Sequence, residues 1–187
     1  MKKEWRWHSR AFDISGIRNM NVNIETAHNT PEEREIKKII EDLLRTHTLP
    51  LYTEKVCIDS TARSHSHPVL TISTKRKDPR CILKTFVHEQ MHWLHNGDDR
   101  WEKARAYFKE KYPTAPTEFA PPNSPRSFWT HIIVCWNTEN YLKNLDKPEY
   151  LEYINETCPD YVETTKLVRA NFETIGAELK TFGLVSE

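Results

Sequence analysis

Residues 85–97 read TFVHEQMHWLHNG, with two histidines four apart and a glutamate directly after the first, all set among apolar side chains. Working outward, Ile82, Leu83, Phe86, Val87, Met91 and Leu94 recur at helical spacing, which predicts a buried helix over residues 80–94. Asp78 stands as its cap with Pro79 in the first turn, and Gly97 can take the left-handed conformation that ends it. Inside such a helix an unpartnered imidazole or carboxylate is costly. A metal ion resolves that cost. His88 and His92 lie one above the other on a helix face, so both rings reach one ion. Glu89 stands about 100° around the axis, off the ion yet beside a water that the ion would carry. A zinc ion acidifies such a water, and Glu89 is then the general base that takes its proton.

A catalytic zinc takes three protein ligands and leaves one position for water, so a third ligand must come from elsewhere. His131 heads the apolar stretch HIIVCW, where a polar side chain most needs a partner, and we take it as that ligand. Glu139 in NTEN and Asp98 are the alternatives. Eight residues of helix set His131 and Glu139 ~12 Å apart, so one ion does not take both. The other account of His131 is a core histidine bonded to a backbone carbonyl. His95 faces the same way as His88 but lies ~10.5 Å along the helix, and suits a bond to the last carbonyls. His65 and His67 flank Ser66, on one side of an extended chain, and a polar loop is the simpler account of them. Tyr141, Tyr150 and Arg126 are candidates to stabilise an oxyanion.

Around this stretch the chain reads as one domain, 1–187, mostly helical from about residue 126. Residues 1–29 give no assignable pattern. NTPEEREIKKIIEDLLRTH carries a capping box, with Thr30 at the cap, Pro31 at the first position and Glu33 at the third. LPLYTEKVCID and HPVLTISTK are strand candidates, and DDRWEKARAYFKEKY is a further helix. YPTAPTEFAPPNSPRS holds five of the eleven prolines and crosses the surface as an extended connection. SFWTHIIVCWNTENYLKNL is a strongly apolar helix, and a last long helix runs over residues 159–182. Trp93, Trp101 and Tyr107 are expected to pack helices together. The sum is an α+β fold with a small antiparallel or mixed sheet.

A strand followed by an HEQMH helix resembles the zincin metallopeptidases. That resemblance covers residues 67–97. It implies that HPVLTISTK is an edge strand binding extended substrate, that His88 and His92 are zinc ligands, and that Glu89 is the general base. The metzincin pattern asks for Gly at 95 and His at 98, whereas this chain has His95 and Asp98. HSHPVLTIST, HEQMHW and THIIVCWNTE together also look like a group of small bacterial and phage HExxH proteins.

Composition narrows the partners. Lys plus Arg and Asp plus Glu both count 27 in 187 residues, giving zero net charge and no electrostatic footprint for nucleic acid. No apolar run approaches the ~18 residues that span a bilayer, and the N-terminus has no apolar signal region, so no membrane partner is expected. Cys57, Cys81, Cys135 and Cys158 form no CxxC pair and are expected to be reduced, buried thiols of a cytoplasmic protein. The expected function is a zinc-dependent hydrolase, foremost a metallopeptidase acting on a peptide or protein. A non-catalytic zinc-binding interaction or structural protein is the alternative.

Overall fold

Helix α1, Pro31–Thr46, starts as its capping box dictates: the Thr30 hydroxyl accepts from the Glu33 amide, and the Glu33 carboxylate accepts from the Thr30 amide. The computed structural model describes residues 22–94, 99–116, 125–145, 154 and 157–186. Strand β1, Asn23–Thr26, precedes α1, and β2, Lys55–Asp59, follows it. β1 falls in the stretch without an assignable pattern, and its four residues hold one buried side chain, Ile24. β1 and β2 pair in parallel with Ile24 opposite Val56, so β1–α1–β2 is a crossover unit. Strand β3, Leu70–Ser73, pairs in parallel on the other side of β2. Among the described residues the three strands of the sheet thus pair in parallel, in the order β1-β2-β3, and not in the antiparallel or mixed arrangement expected. Local pattern identifies strands, but direction is set by the connections between them.

Glu33 joins α1 to this sheet. Its carboxylate also accepts from the Ser60 amide and hydroxyl, both at 2.9 Å, and from the His28 amide. Burial pushes this carboxyl upward, but these donors outweigh it and hold the pKa at about 2. Ile36, Ile40 and Leu43 of α1 bury their face together with Val56, Ile58, Leu70 and Ile72 of the sheet.

The helix carrying HEQMH is α2, Pro79–Met91, capped by Asp78, whose side chain accepts from the Arg80 amide. Beyond Met91 the chain tightens instead of stopping: Trp93 and Leu94 bond back to the carbonyls of Gln90 and Met91. His92 keeps helical angles, φ −64 and ψ −21, so its place above His88 is preserved. Helices α3, Asp99–Lys111, and α4, Pro125–Asn144, follow. The expected last helix is two, α5 over Val162–Ala170 and α6 over Phe172–Thr181. They divide at Asn171, where φ −124 and ψ 24 are not helical and the side-chain amide donates to the Leu167 carbonyl.

α4 is the axis of the helical half, packed against α2, α3, α5 and α6. It buries residues all round, including Phe128, Ile132, Ile133, Trp136 and Leu142. A Cβ on Gly176 of α6 would lie 2.5 Å from the Trp136 ring, so only glycine allows this approach. Tyr107 joins α3 to α6 through Phe182 and Glu178, as expected. Trp93 instead stacks on His67 at 4.2 Å and donates to the Ser66 carbonyl, so it holds a loop and not a helix pair. No helix among the described residues is long and apolar enough to cross a membrane.

Cys81 and Cys158 form a disulfide with Cα atoms 5.6 Å apart, which corrects the expectation of four thiols. Cys57 and Cys135 are not part of a disulfide. The sequence concealed this pairing because 77 positions separate the partners, which meet only when the chain returns to the start of α2. A link of that span removes about 4–5 kcal/mol of unfolded-chain entropy. A Cys81→Ser, Cys158→Ser variant should therefore melt about 10 °C or more below the oxidised protein. Equal melting temperatures in calorimetry would show that the link adds nothing to stability.

Candidate metal centre

α2 and α4 pack against each other, and their contact brings together His88, His92 and His131. One ring nitrogen from each lies within 4.8 Å of the other two. A tetrahedral ion with bonds of ~2.0–2.1 Å sets its nitrogens about 3.4 Å apart, so small ring rotations complete the site. The His88 and His131 rings lie near parallel, 22° apart with centroids at 5.5 Å. His92 stands across both, at 75° to His88 and 77° to His131.

The chemistry of the three rings fits a cation. Nδ1 of His131 lies 2.7 Å from the Ser127 carbonyl, which can only accept, so Nδ1 carries the proton and Nε2 presents its lone pair. His131 thus bonds a backbone carbonyl through one nitrogen, as one of its two accounts from sequence has it, and belongs to the cluster with His88 and His92. The His88 Nε2 is buried without a hydrogen-bond partner, an expense that a metal ion removes. Burial, then the neighbouring His92 and His131, hold His88 well below the usual imidazole range. Burial, His131 and His67 bring His92 down to about 3. Neutral imidazoles are the form that binds metal.

Glu89 is also buried, and burial together with the charge of Asp160 raises its carboxyl to about 8. A cation between the three histidines would pull it back toward the ionised form that a base requires. Lys84, one turn before His88, donates to the Cys158 carbonyl at 2.7 Å, and burial lowers its pKa. Gln90 accepts from the Tyr52 and Thr53 amides and donates to the Thr53 carbonyl, pinning α2 to the chain before β2.

The other sequence candidates fall elsewhere. Glu139, the alternative ligand, is committed to a two-bond pair with Arg169, at 2.9 and 3.1 Å, and is not part of the cluster. Asp98 and His95 lie outside the described residues, as do Gly97, Tyr150 and the Arg126 side chain. Tyr141 donates to the Thr48 carbonyl at 3.0 Å. His65 is an exposed loop residue turned to the Arg63 carbonyl. Its backbone pairs with Thr71 through both amide and carbonyl, and the Ser64 hydroxyl accepts from the Ser73 amide. The outer edge of β3, where the resemblance implied an extended substrate, is therefore occupied at Thr71 by this chain's own loop.

Sequence reasoning missed Tyr161, whose ring stacks on His131 at 3.9 Å and on His88 at 5.1 Å. No motif marks it, 30 residues beyond His131; only the left-handed backbone at this position sets it apart. A second group, His28, Glu33 and Asp59, also clusters, but Glu33 is engaged by amides at the α1 cap and Asp59 by Thr61 and Ala62. Those bonds account for the cluster without an ion. Compared with known protein families, characterised proteins and solved structures, the chain has no match.

The geometry separates the two candidate third ligands. His131→Ala should weaken binding of Zn2+ at least a hundredfold in a competition titration. Glu139→Gln should bind Zn2+ as the wild type does, while lowering the melting temperature because Arg169 loses a buried partner. The reverse ranking in zinc affinity would move the site to Glu139.

Proposed function

We propose that the protein is a zinc-dependent hydrolase, foremost a metallopeptidase, with His88, His92 and His131 as zinc ligands and Glu89 as general base. The observation that carries this reading is the convergence of three imidazoles beside a buried glutamate that follows the first of them. Among the described residues three donors converge and not four, the number that leaves a position for water in a catalytic site. When bound, zinc supplies the acidification of that water and the polarisation of the scissile carbonyl. Glu89 accepts the proton from the water and delivers it to the leaving amine. Ser127 fixes the His131 tautomer, and Gln90 holds the α2 turn that presents Glu89 and His92.

Zinc is the metal of choice because imidazole donors in a compact three-ligand set suit it. The zincin resemblance of HEQMH supports the peptidase assignment, whereas the occupied β3 edge argues against a substrate strand at Thr71. Zero net charge supports a peptide over a nucleic acid. The Cys81–Cys158 disulfide argues against the expected cytoplasmic setting, in which thiols are kept reduced.

One observation favours a second reading, a non-catalytic zinc module. The cavity beside His88, lined by Lys84, Glu139, Asp160 and Tyr161 among others, measures about 10 Å³, the space of roughly one water. A peptidase must open wider than that.

Glu89→Gln distinguishes the two. The amide keeps the size of the side chain and removes the base, so zinc should be retained while turnover of a denatured-protein or peptide-library substrate falls about a hundred- to ten-thousandfold. Turnover unchanged in Glu89→Gln would remove the base from the scheme. No turnover by the zinc-loaded wild type on peptides or other amides would leave the structural module.

A further inference from the structure

Among the described residues, two non-glycine residues have positive φ, Asn29 at 53° and Tyr161 at 51°. Asparagine visits this left-handed region readily, but a bulky aromatic residue there is strained and points to function. Tyr161 precedes α5, and its side chain makes no capping bond to that helix. Capping does not explain the residue.

The chain leading to it is fixed from three directions. Cys158 is bonded to Cys81 in the first turn of α2, and its carbonyl accepts from Lys84. Asp160 pairs with Arg76, which lies between β3 and α2, through both guanidinium nitrogens. Lys84 and His88 are four apart on α2, so the strap formed by residues 158–161 runs along the helix face that presents His88. At its end the Tyr161 ring lies 29° from the plane of His131 with centroids 3.9 Å apart, and 13° from that of His88 at 5.1 Å. The two imidazoles that it covers are the near-parallel pair; His92 stands across them. A ring held in this way resists the rotation of either imidazole about its long axis.

Resting on the reading of the three histidines as a metal centre, we propose that Tyr161 is a positioning residue of that centre. Its ring, delivered by the disulfide-anchored strap, sets the His88 and His131 planes so that their ligand nitrogens converge. The left-handed backbone is the cost of that delivery, because an extended or helical residue at 161 would direct the ring elsewhere. The flat face of the ring performs the work.

The test compares the full chain with Tyr161→Phe, Tyr161→Leu and Tyr161→Gly, each titrated with Co2+ and followed by visible absorption, with circular dichroism to verify folding. Glycine adopts φ 51 without strain and removes the ring; leucine keeps apolar bulk without a flat face. Expected are wild-type affinity and spectrum in Tyr161→Phe, and binding about ten- to a hundredfold weaker with an altered spectrum in the folded Leu and Gly variants. Wild-type affinity in either of those two overturns the proposal, as does a Phe variant as weak as they are, which would assign the effect to the hydroxyl. Absence of Co2+ binding by the wild type overturns the metal centre itself, and with it this role. Should glycine prevent folding, the Leu and Phe variants decide alone.

Discussion

α2 and α4 can pack only if the polar side chains buried between them and their neighbours each meet a partner. Lys84, His88, Glu89 and Gln90 follow one another closely on α2, and His131, Asn137 and Glu139 lie on α4, all at most 8% exposed. The fold answers most of them locally. Lys84 reaches the Cys158 carbonyl, Gln90 the chain at Tyr52 and Thr53, Glu139 the guanidinium of Arg169. Asn137 donates to the Leu184 carbonyl and accepts from the Ser186 amide, so it fastens the end of the chain. The His88 Nε2 is not answered in this way. An imidazole cluster in an apolar interface, with the His88 Nε2 among its unanswered nitrogens, is what makes an ion the economical solution.

The same constraint explains why the C-terminal helices lie where they do. Arg169 on α5 is placed by its pair with Glu139, and the disulfide and the Arg76–Asp160 pair hold the approach to α5 against α2. The sheet is small, three short parallel strands, and its contribution to the centre is indirect: β3 and α1 pack against α2, which in turn packs against α4. The proposed hydrolase would thus have its ligands on two helices, one backed by the sheet and one by the helical half, and tied to each other through the Cys81–Cys158 strap. Rigid placement of this kind suits a centre whose ligands must be in register before the ion arrives.

Legibility in the sequence followed how local each signal was. The α1 capping box and the Asp78 cap with Pro79 depend on residues within four positions, and both stand in the structure as read. The spacing of His88 and His92 is likewise local, and their rings meet. His131 was reachable because one polar residue at the head of the apolar stretch HIIVCW demands a partner. Tyr161, Gln90 and the Cys81–Cys158 link were not, since each acts across 30 residues or more and none has a distinctive neighbourhood. Parallel strand direction was missed for the same reason. β1 is too short to show a period, so the crossover that fixes direction could not be seen. The long helix over residues 159–182 failed on one residue, Asn171, whose side chain competes for a backbone carbonyl.

X-ray absorption at the zinc edge, on the full chain loaded with one equivalent of Zn2+, tests the central claim most directly. The account predicts three imidazole nitrogens at about 2.0–2.1 Å and one further light atom from solvent. Four imidazoles, a sulfur at about 2.3 Å, or the absence of outer-shell imidazole scattering would contradict it.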